Sequence, residues 1–323
     1  MRTILTLVVL SAGVLAAPAA PAQGYPARPI KLVVGFAPGG AADFVARALQ
    51  EPLARGLGQP VVVENRPGAG SSIAAEAVAK SPADGYTVLI ASPSSILVNP
   101  IISPRAGFDP RKDLAPITQV SASPLVLAVN PATGIGSVRE LIDYAKKNPG
   151  KLNYATSGNG AAPHLAAVLF QSVAHVEMTH VPYKGGGPAV QALLAGETQL
   201  SFATPPSVLP LIQAGRLKAL AVTSRKATPL VANVPGMEEA GLPGYEISFW
   251  YGFFVPAGTP AEATRKLFAA TSDALRAPGI EKTLAREGTE TAGSKSPEDF
   301  SRFIDGEAGL WSRLVKESGA KPG

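Results

Sequence analysis

Two stretches of this 323-residue chain place glycines directly before a helix in a way that suits anion binding. VVGFAPGGAADFVARAL occupies residues 33–49 and YATSGNGAAPHLAAVL residues 154–169. With Gly40 set on Gly160, GAADFVARAL and GAAPHLAAVL agree at five of ten positions. Alanine richness makes that agreement weak alone, and the shared place between a strand and an apolar helix gives it weight. A helix start carries amide N–H groups without intrahelical partners and about half a positive charge. Glycines let a ligand come close to that backbone. One such start from each half, facing across a cleft, would hold the two ends of a small carboxylate. The glycines equally suit loop geometry alone, and Asn159 suits a turn. Asp43 would repel an anion, so it reads as an acid that caps amides and points away from the ligand.

Other chemistry is poorly supported. The three histidines, His164, His175 and His180, lack the H-E-x-x-H spacing, and no cysteine is available as nucleophile or metal ligand. His164 falls in the first turn of its expected helix, where a positional hydrogen bond is the simpler role. Three G-x-G pairs lack the third glycine of a dinucleotide loop, and neither a Walker A loop nor a G-x-S-x-G elbow occurs. Nothing selects the members of a Ser-His-Asp triad, even with Ser157, His164 and Asp43 considered. Neither metal nor cofactor is expected, and the chain reads as a non-enzyme.

The elements that must position these loops are short and alternating. Residues 30–34, 61–64 and 87–90 read as buried strands, separated by helices over 43–57 and 72–79. Pro52 should kink or shorten the first helix. An extended stretch over 117–130 comes next. The alternation then restarts: helix 138–147, strand 153–155, helix 161–173, strand 179–182, helix 189–195, strand 199–203, helix 208–214 and strand 218–223. A second extended stretch over 245–255 precedes helices near 260–275, 280–286 and 297–316. Ser137 with Glu140 and Ser296 with Asp299 fit side-chain caps, and Pro260 fits a first helical position.

Strand–helix alternation implies an α/β fold of mostly parallel sheets flanked by helices. The two extended stretches would cross between two lobes, one of residues 23–121 and 247–323, the other of residues 122–246. Two crossings make a hinge with a cleft between the lobes. Strand C-terminal ends face such clefts, which adds Ser92 and Thr204 as candidate contacts.

Composition narrows the class. Charged residues make up 16% against 46% hydrophobic, so a large core is available and disorder is disfavoured. The 33 glycines and 31 prolines fit many short elements joined by turns. The net charge of +5 is spread over single and paired basic residues, with no stripe suited to nucleic acid. Residues 1–22 read as a cleaved secretory signal: Arg2, an apolar run over 4–17, then Ala20-Pro21-Ala22. A membrane anchor is the rival, but the run is short for about 30 Å of hydrocarbon. A soluble, exported protein is expected.

Several segments together resemble the Bug family of periplasmic solute-binding proteins, the receptors of tripartite tricarboxylate transporters. They are YPARPIKLVVGFAPGGAADFVAR, LGQPVVVENRPGAGSSIAAEAVAKSPADGYTVL, YATSGNGAAPHLAAVLF, VPYKGGGPAV, GRLKALAVTS and FVPAGTP, in this order over nearly the whole chain. The resemblance implies a type II-like Venus flytrap whose two α/β domains close on a carboxylated solute. Carried over to matching positions, Phe36, Ala37, Pro38, Gly39, Gly40 and Ala41 form the first binding loop. Thr156, Ser157, Gly158, Asn159 and Gly160 form the second; His164 matches the family's histidine and Asp43 its acid. Ala41 and Ala42 replace residues often polar or glycine in such proteins, which weakens the case for side-chain contacts there. The ligand class is a mono-, di- or tricarboxylate or an amino acid, and the partners are membrane transporter subunits. A monomer is expected. An extracytoplasmic protein that senses a ligand for a signalling partner is the alternative, with an exported hydrolase behind it.

Overall fold

The computed structural model describes residues 24–36, 38–39, 41–104, 108–183, 185–286 and 288–319. The expected signal segment and the loop residues Ala37 and Gly40 lie outside the described residues. Eleven strands are described: β1 (Ile30–Val34), β2 (Val61–Asn65), β3 (Thr87–Ala91), β4 (Leu114–Pro124), β5 (Val126–Val129), β6 (Asn153–Thr156), β7 (Thr179–Pro182), β8 (Leu200–Ala203), β9 (Lys218–Val222), β10 (Ser248–Pro256) and β11 (Glu290–Thr291). They form two sheets, in the orders β11-β4-β10-β3-β1-β2 and β7-β6-β8-β5-β9.

The sheets are mixed, and the exceptions have one origin. Strands joined through helices pair in parallel: β1 with β2 and β3, and β6 with β7 and β8. β10 arrives from the second sheet and runs antiparallel to both β3 and β4. β5 arrives from the first sheet and runs antiparallel to both β8 and β9. Apart from the two-residue β11, only the strand that crosses over runs against its sheet. The two extended stretches are these crossings. The chain changes sheets between Pro124 and Val126 and again between Val222 and Ser248.

Helices cover both sheets with apolar faces. Helix Ala41–Leu57 buries Val45, Ala46, Leu49, Leu53 and Leu57, and packs on helix Ala261–Leu275. It runs on past Pro52 to Leu57, so proline does not end it. The packed apolar face outweighs the hydrogen bond lost at the Ala48 carbonyl. Both expected caps form. Ser137 Oγ accepts from Glu140 N–H at 3.2 Å, and Ser296 Oγ from Asp299 N–H at 3.1 Å. Pro260 is the cap residue and not the first helical one, since the helix begins at Ala261.

The C-terminal helix Pro297–Ser318 ties the halves together, packing against β4 of the first sheet and against helix Ala162–Ala174 of the second. Its Glu307 carboxylate accepts from Trp311 Nε1 at 2.8 Å and from Trp250 Nε1 on β10 at 3.3 Å. Trp250, Phe254, Phe300 and Trp311 are buried around it. Among the described residues, no helix is long and apolar enough to cross a membrane.

Candidate ligand-binding cleft

A cavity of about 470 Å³ opens between the two sheets, where the loops leaving the C-terminal ends of the parallel strands meet. β1 leads to Phe36 and Ala41, β6 to the loop Ser157–Gly160, and β8 to Thr204; all of these expected residues line the cavity. Three further segments were not anticipated. The turn after β2 brings Gly70, the turn after β3 brings Ser94 and Asn99, and the loop after β7 brings Gly185 and Gly186. Phe249 and Tyr251 of the crossing strand β10 form the floor. Gly70 and Gly185–Gly186 carry the same signal as the two recognised loops, a glycine between a strand and a helix. Ser94 sits in a turn of π-helix, Ser94–Val98, that no local pattern announces.

Helix starts converge on this space. In helix Ala162–Ala174 the first bond is Leu165 N–H to the Ala161 carbonyl, 3.1 Å, so the amides of Ala162 and His164 precede it. In helix Gly186–Ala195 the first is Ala189 N–H to the Gly185 carbonyl, 3.4 Å, which places the amides of Gly186 and Gly187 ahead of it. Such amides and the helix dipole favour an anion. Helix Pro205–Gln213 differs, because its first two residues are prolines without N–H groups. There the hydroxyls of Thr204 and Ser207 stand 3.2 Å apart at the helix start, and Ser207 Oγ donates to the Thr204 carbonyl at 2.7 Å. Among the described lining residues none is charged.

The remaining expected contacts among the described residues do not line the cavity. Pro38 and Gly39 are exposed outside it, and Gly39 N–H donates to Asp43 Oδ2 at 2.9 Å. Asp43 is buried and does not line the cavity; it caps the loop amide and not its own helix. Arg47 Nε donates to Oδ2 and Asn65 Nδ2 to Oδ1, both at 2.9 Å. Burial works to raise the Asp43 pKa, but hydrogen bonds from Arg47, Gly39 and Asn65, with the Arg47 charge, outweigh it and hold the carboxyl below the ordinary carboxylate range. Ser92 is fully buried and accepts, through its carbonyl, the amides of Ser95 and Ile96 that start the π-turn.

Thr156 and His164 support the second loop from behind. Thr156 Oγ1 lies 3.3 Å from Gly158 N and 2.6 Å from His180 Nε2. His164 makes the expected positional hydrogen bond: Gly160 N–H donates to its Nδ1 at 3.1 Å. That places the neutral ring's proton on Nε2, and it withdraws the Gly160 amide from any ligand. The His164 ring stacks on His180 with centroids 3.9 Å apart and planes 8° off parallel. Both rings face a groove on the far side of the loop, with Tyr154, Gln171 and Glu317.

Burial, and then the neighbouring His180, lower the His164 pKa to about 4. A histidine that stays neutral when folded but protonates freely when unfolded stabilises the fold fully above its unfolded pKa of about 6.5. That stability drains as pH falls from about 6.5 to about 4. His164 alone then accounts for about 3 kcal/mol at 1.36 kcal/mol per unit. Burial shifts His180 in the same direction. Chemical denaturation at pH 7.5 and 4.5 should show this loss in the parent, and His164→Gln should flatten it; an unchanged slope would assign the acid loss elsewhere.

The cleft's relatives are well defined. A family model described as tripartite tricarboxylate transporter family receptor matches residues 45–320. The chain is 38% identical over 322 residues to Protein BugT of Bordetella pertussis, covering 99% of this chain and 98% of that protein. The solved structure of R. palustris Rpa4515 with adipate is 36% identical with a TM-score of 0.82, covering 92% of this chain and 99% of that one. MatC from Rhodopseudomonas palustris with bound malate is 30% identical with a TM-score of 0.78, covering 90% and 100%.

Proposed function

The chain belongs to the Bug family of tripartite tricarboxylate transporter receptors, and from that membership we propose that it is an exported receptor that captures a small carboxylate between its lobes. The observation that carries the ligand class is the convergence of helix starts on a cavity without charged side chains among its described lining residues. Carboxylate oxygens take the amides ahead of Leu165 and Ala189, hydroxyls from Thr204 and Ser207 complete the shell, and ordered waters fill the gaps. Adipate and malate in the related structures support the same class.

Capture proceeds by closure. Residues 23–121 with 247–323 move as one body and 122–246 as the other, hinging near Leu125 and in the chain between β9 and β10. A ligand bound to both bodies favours the closed arrangement by its differential affinity. The protein acts in the periplasm, after removal of residues 1–22, and delivers solute as a monomer to membrane transporter subunits. Its role is that of a solute receptor, in line with the family model, and the positioned histidine serves the loop from behind.

Thermal unfolding with a panel of carboxylates, sugars and neutral amides tests the reading. A bound carboxylate at a hundred times its Kd should add about 2.7 kcal/mol of stability. Stabilisation by neutral solutes, with none by carboxylates, would defeat it.

A further inference from the structure

The floor of the cleft is aromatic. Residues two apart on a strand share a face, so Phe249 and Tyr251 both look into the cavity from β10 while Trp250 between them packs on Phe300 behind. Phe36 from the first loop joins them. The Tyr251 ring stands nearly perpendicular to both neighbours, with centroids 5.4 Å from Phe249 at 87° and 6.3 Å from Phe36 at 78°. The β10–β4 ladder shifts register between Tyr251 and Gly252, and such irregularities re-aim side chains next to binding sites. The facing wall is also apolar, built from Ala161, Ala162, Ala189 and Val190. Aromatic and aliphatic groups thus line this space together with polar donors such as Thr204 and Ser207.

We infer that this cleft selects a carboxylate with an aromatic body and discriminates against α-amino acids and hydroxylated tricarboxylates. The inference rests on the carboxylate reading above and adds the ligand's interior. An aryl ring lying beside Tyr251 and the two rings set nearly perpendicular to it gains edge-to-face contacts as well as apolar burial. An α-ammonium group entering the same space leaves water and meets no carboxylate among the described lining residues. A hydroxyl-bearing tricarboxylate brings a third negative charge and further polar groups against these apolar walls, where no cation among the described lining residues offsets them.

Calorimetric titration of the purified protein with terephthalate, adipate, glutamate and citrate tests this. Terephthalate should bind at least about tenfold more tightly than glutamate or citrate, a ratio that corresponds to roughly 1.4 kcal/mol. Phe249→Ala should weaken terephthalate by about tenfold and adipate by less than about threefold. If that variant fails to fold, Phe249→Leu, which keeps volume without the ring, carries the comparison. Tyr251→Phe keeps the ring and should keep the preference for terephthalate; loss of the preference there would assign selection to the hydroxyl and overturn the aromatic argument. Glutamate or citrate binding ahead of terephthalate would overturn the inference while leaving the carboxylate reading intact. Binding of none of the four would defeat that reading itself, and the inference with it.

Discussion

A Gly160→Val protein is expected to bind its carboxylates about a hundredfold more weakly than the parent, a loss of roughly 2.7 kcal/mol. Gly160 has φ of +69°, a left-handed conformation that a β-branched residue holds only under strain. A Cβ there would also stand 2.4 Å from Ile102 Cδ1 and 3.4 Å from Val98 Cγ1. Those two side chains follow β3 of the first sheet, whereas Gly160 follows β6 of the second, so the added carbon presses on the contact between the halves. The loop's relief is to rotate out of the αL region. That breaks the Gly160 N–H bond to His164 and re-aims Ser157 to Asn159, which line the cavity. Isothermal titration beside far-ultraviolet circular dichroism separates the outcomes. Native secondary structure with lost affinity is the expected result, and unchanged affinity would remove this loop from the binding site.

Asp43→Ala is expected to destabilise the protein by about 2 kcal/mol, because it removes three hydrogen bonds from a buried carboxylate while the Arg47 left behind stays half exposed to water. The carboxylate holds the Gly39 amide, the Asn65 amide and the Arg47 guanidinium together, and Asn65 Nδ2 also donates to the Phe36 carbonyl at 3.1 Å. Losing the hub loosens the whole first loop. The pH dependence carries a definite sign. Asp43's folded pKa lies below its unfolded value, so its contribution is complete above the ordinary carboxylate range and disappears as pH falls through the lower, folded pKa. This window lies below that of His164, so Asp43→Asn should flatten only the most acidic part of the curve. Urea unfolding across pH measures both; a loss under about 1 kcal/mol for the alanine variant would reduce Asp43 to a surface ion pair.

Much of the architecture was legible because the elements are short, apolar and bounded by glycine, proline and capping residues. Helices Ser72–Ala79 and Val138–Lys147 and strand β7 have the bounds that periodicity and caps implied. Pro52 does not shorten its helix because local propensity is a small term beside a buried apolar helix face. Of the candidate cleft, the loops after β1, β6 and β8 were readable as glycine or strand-end signals. The same rule, applied evenly, reaches Gly70 and Gly185. It does not reach Phe249, Tyr251, Ser94 or Asn99, whose types and spacing resemble ordinary strand and turn residues.

Local chemistry in the chain favoured helix starts preceded by glycine loops, a capping role for Asp43 and a positional hydrogen bond for His164. Only the tertiary structure decided which loops meet. Residues in the cavity come from positions as far apart as Phe36 and Tyr251, and their meeting depends on β5 and β10 each crossing into the other sheet. Sequence spacing records the elements because hydrogen bonding and side-chain period act over a few residues. It cannot record the floor of the cleft, because that surface exists only where two distant segments pack.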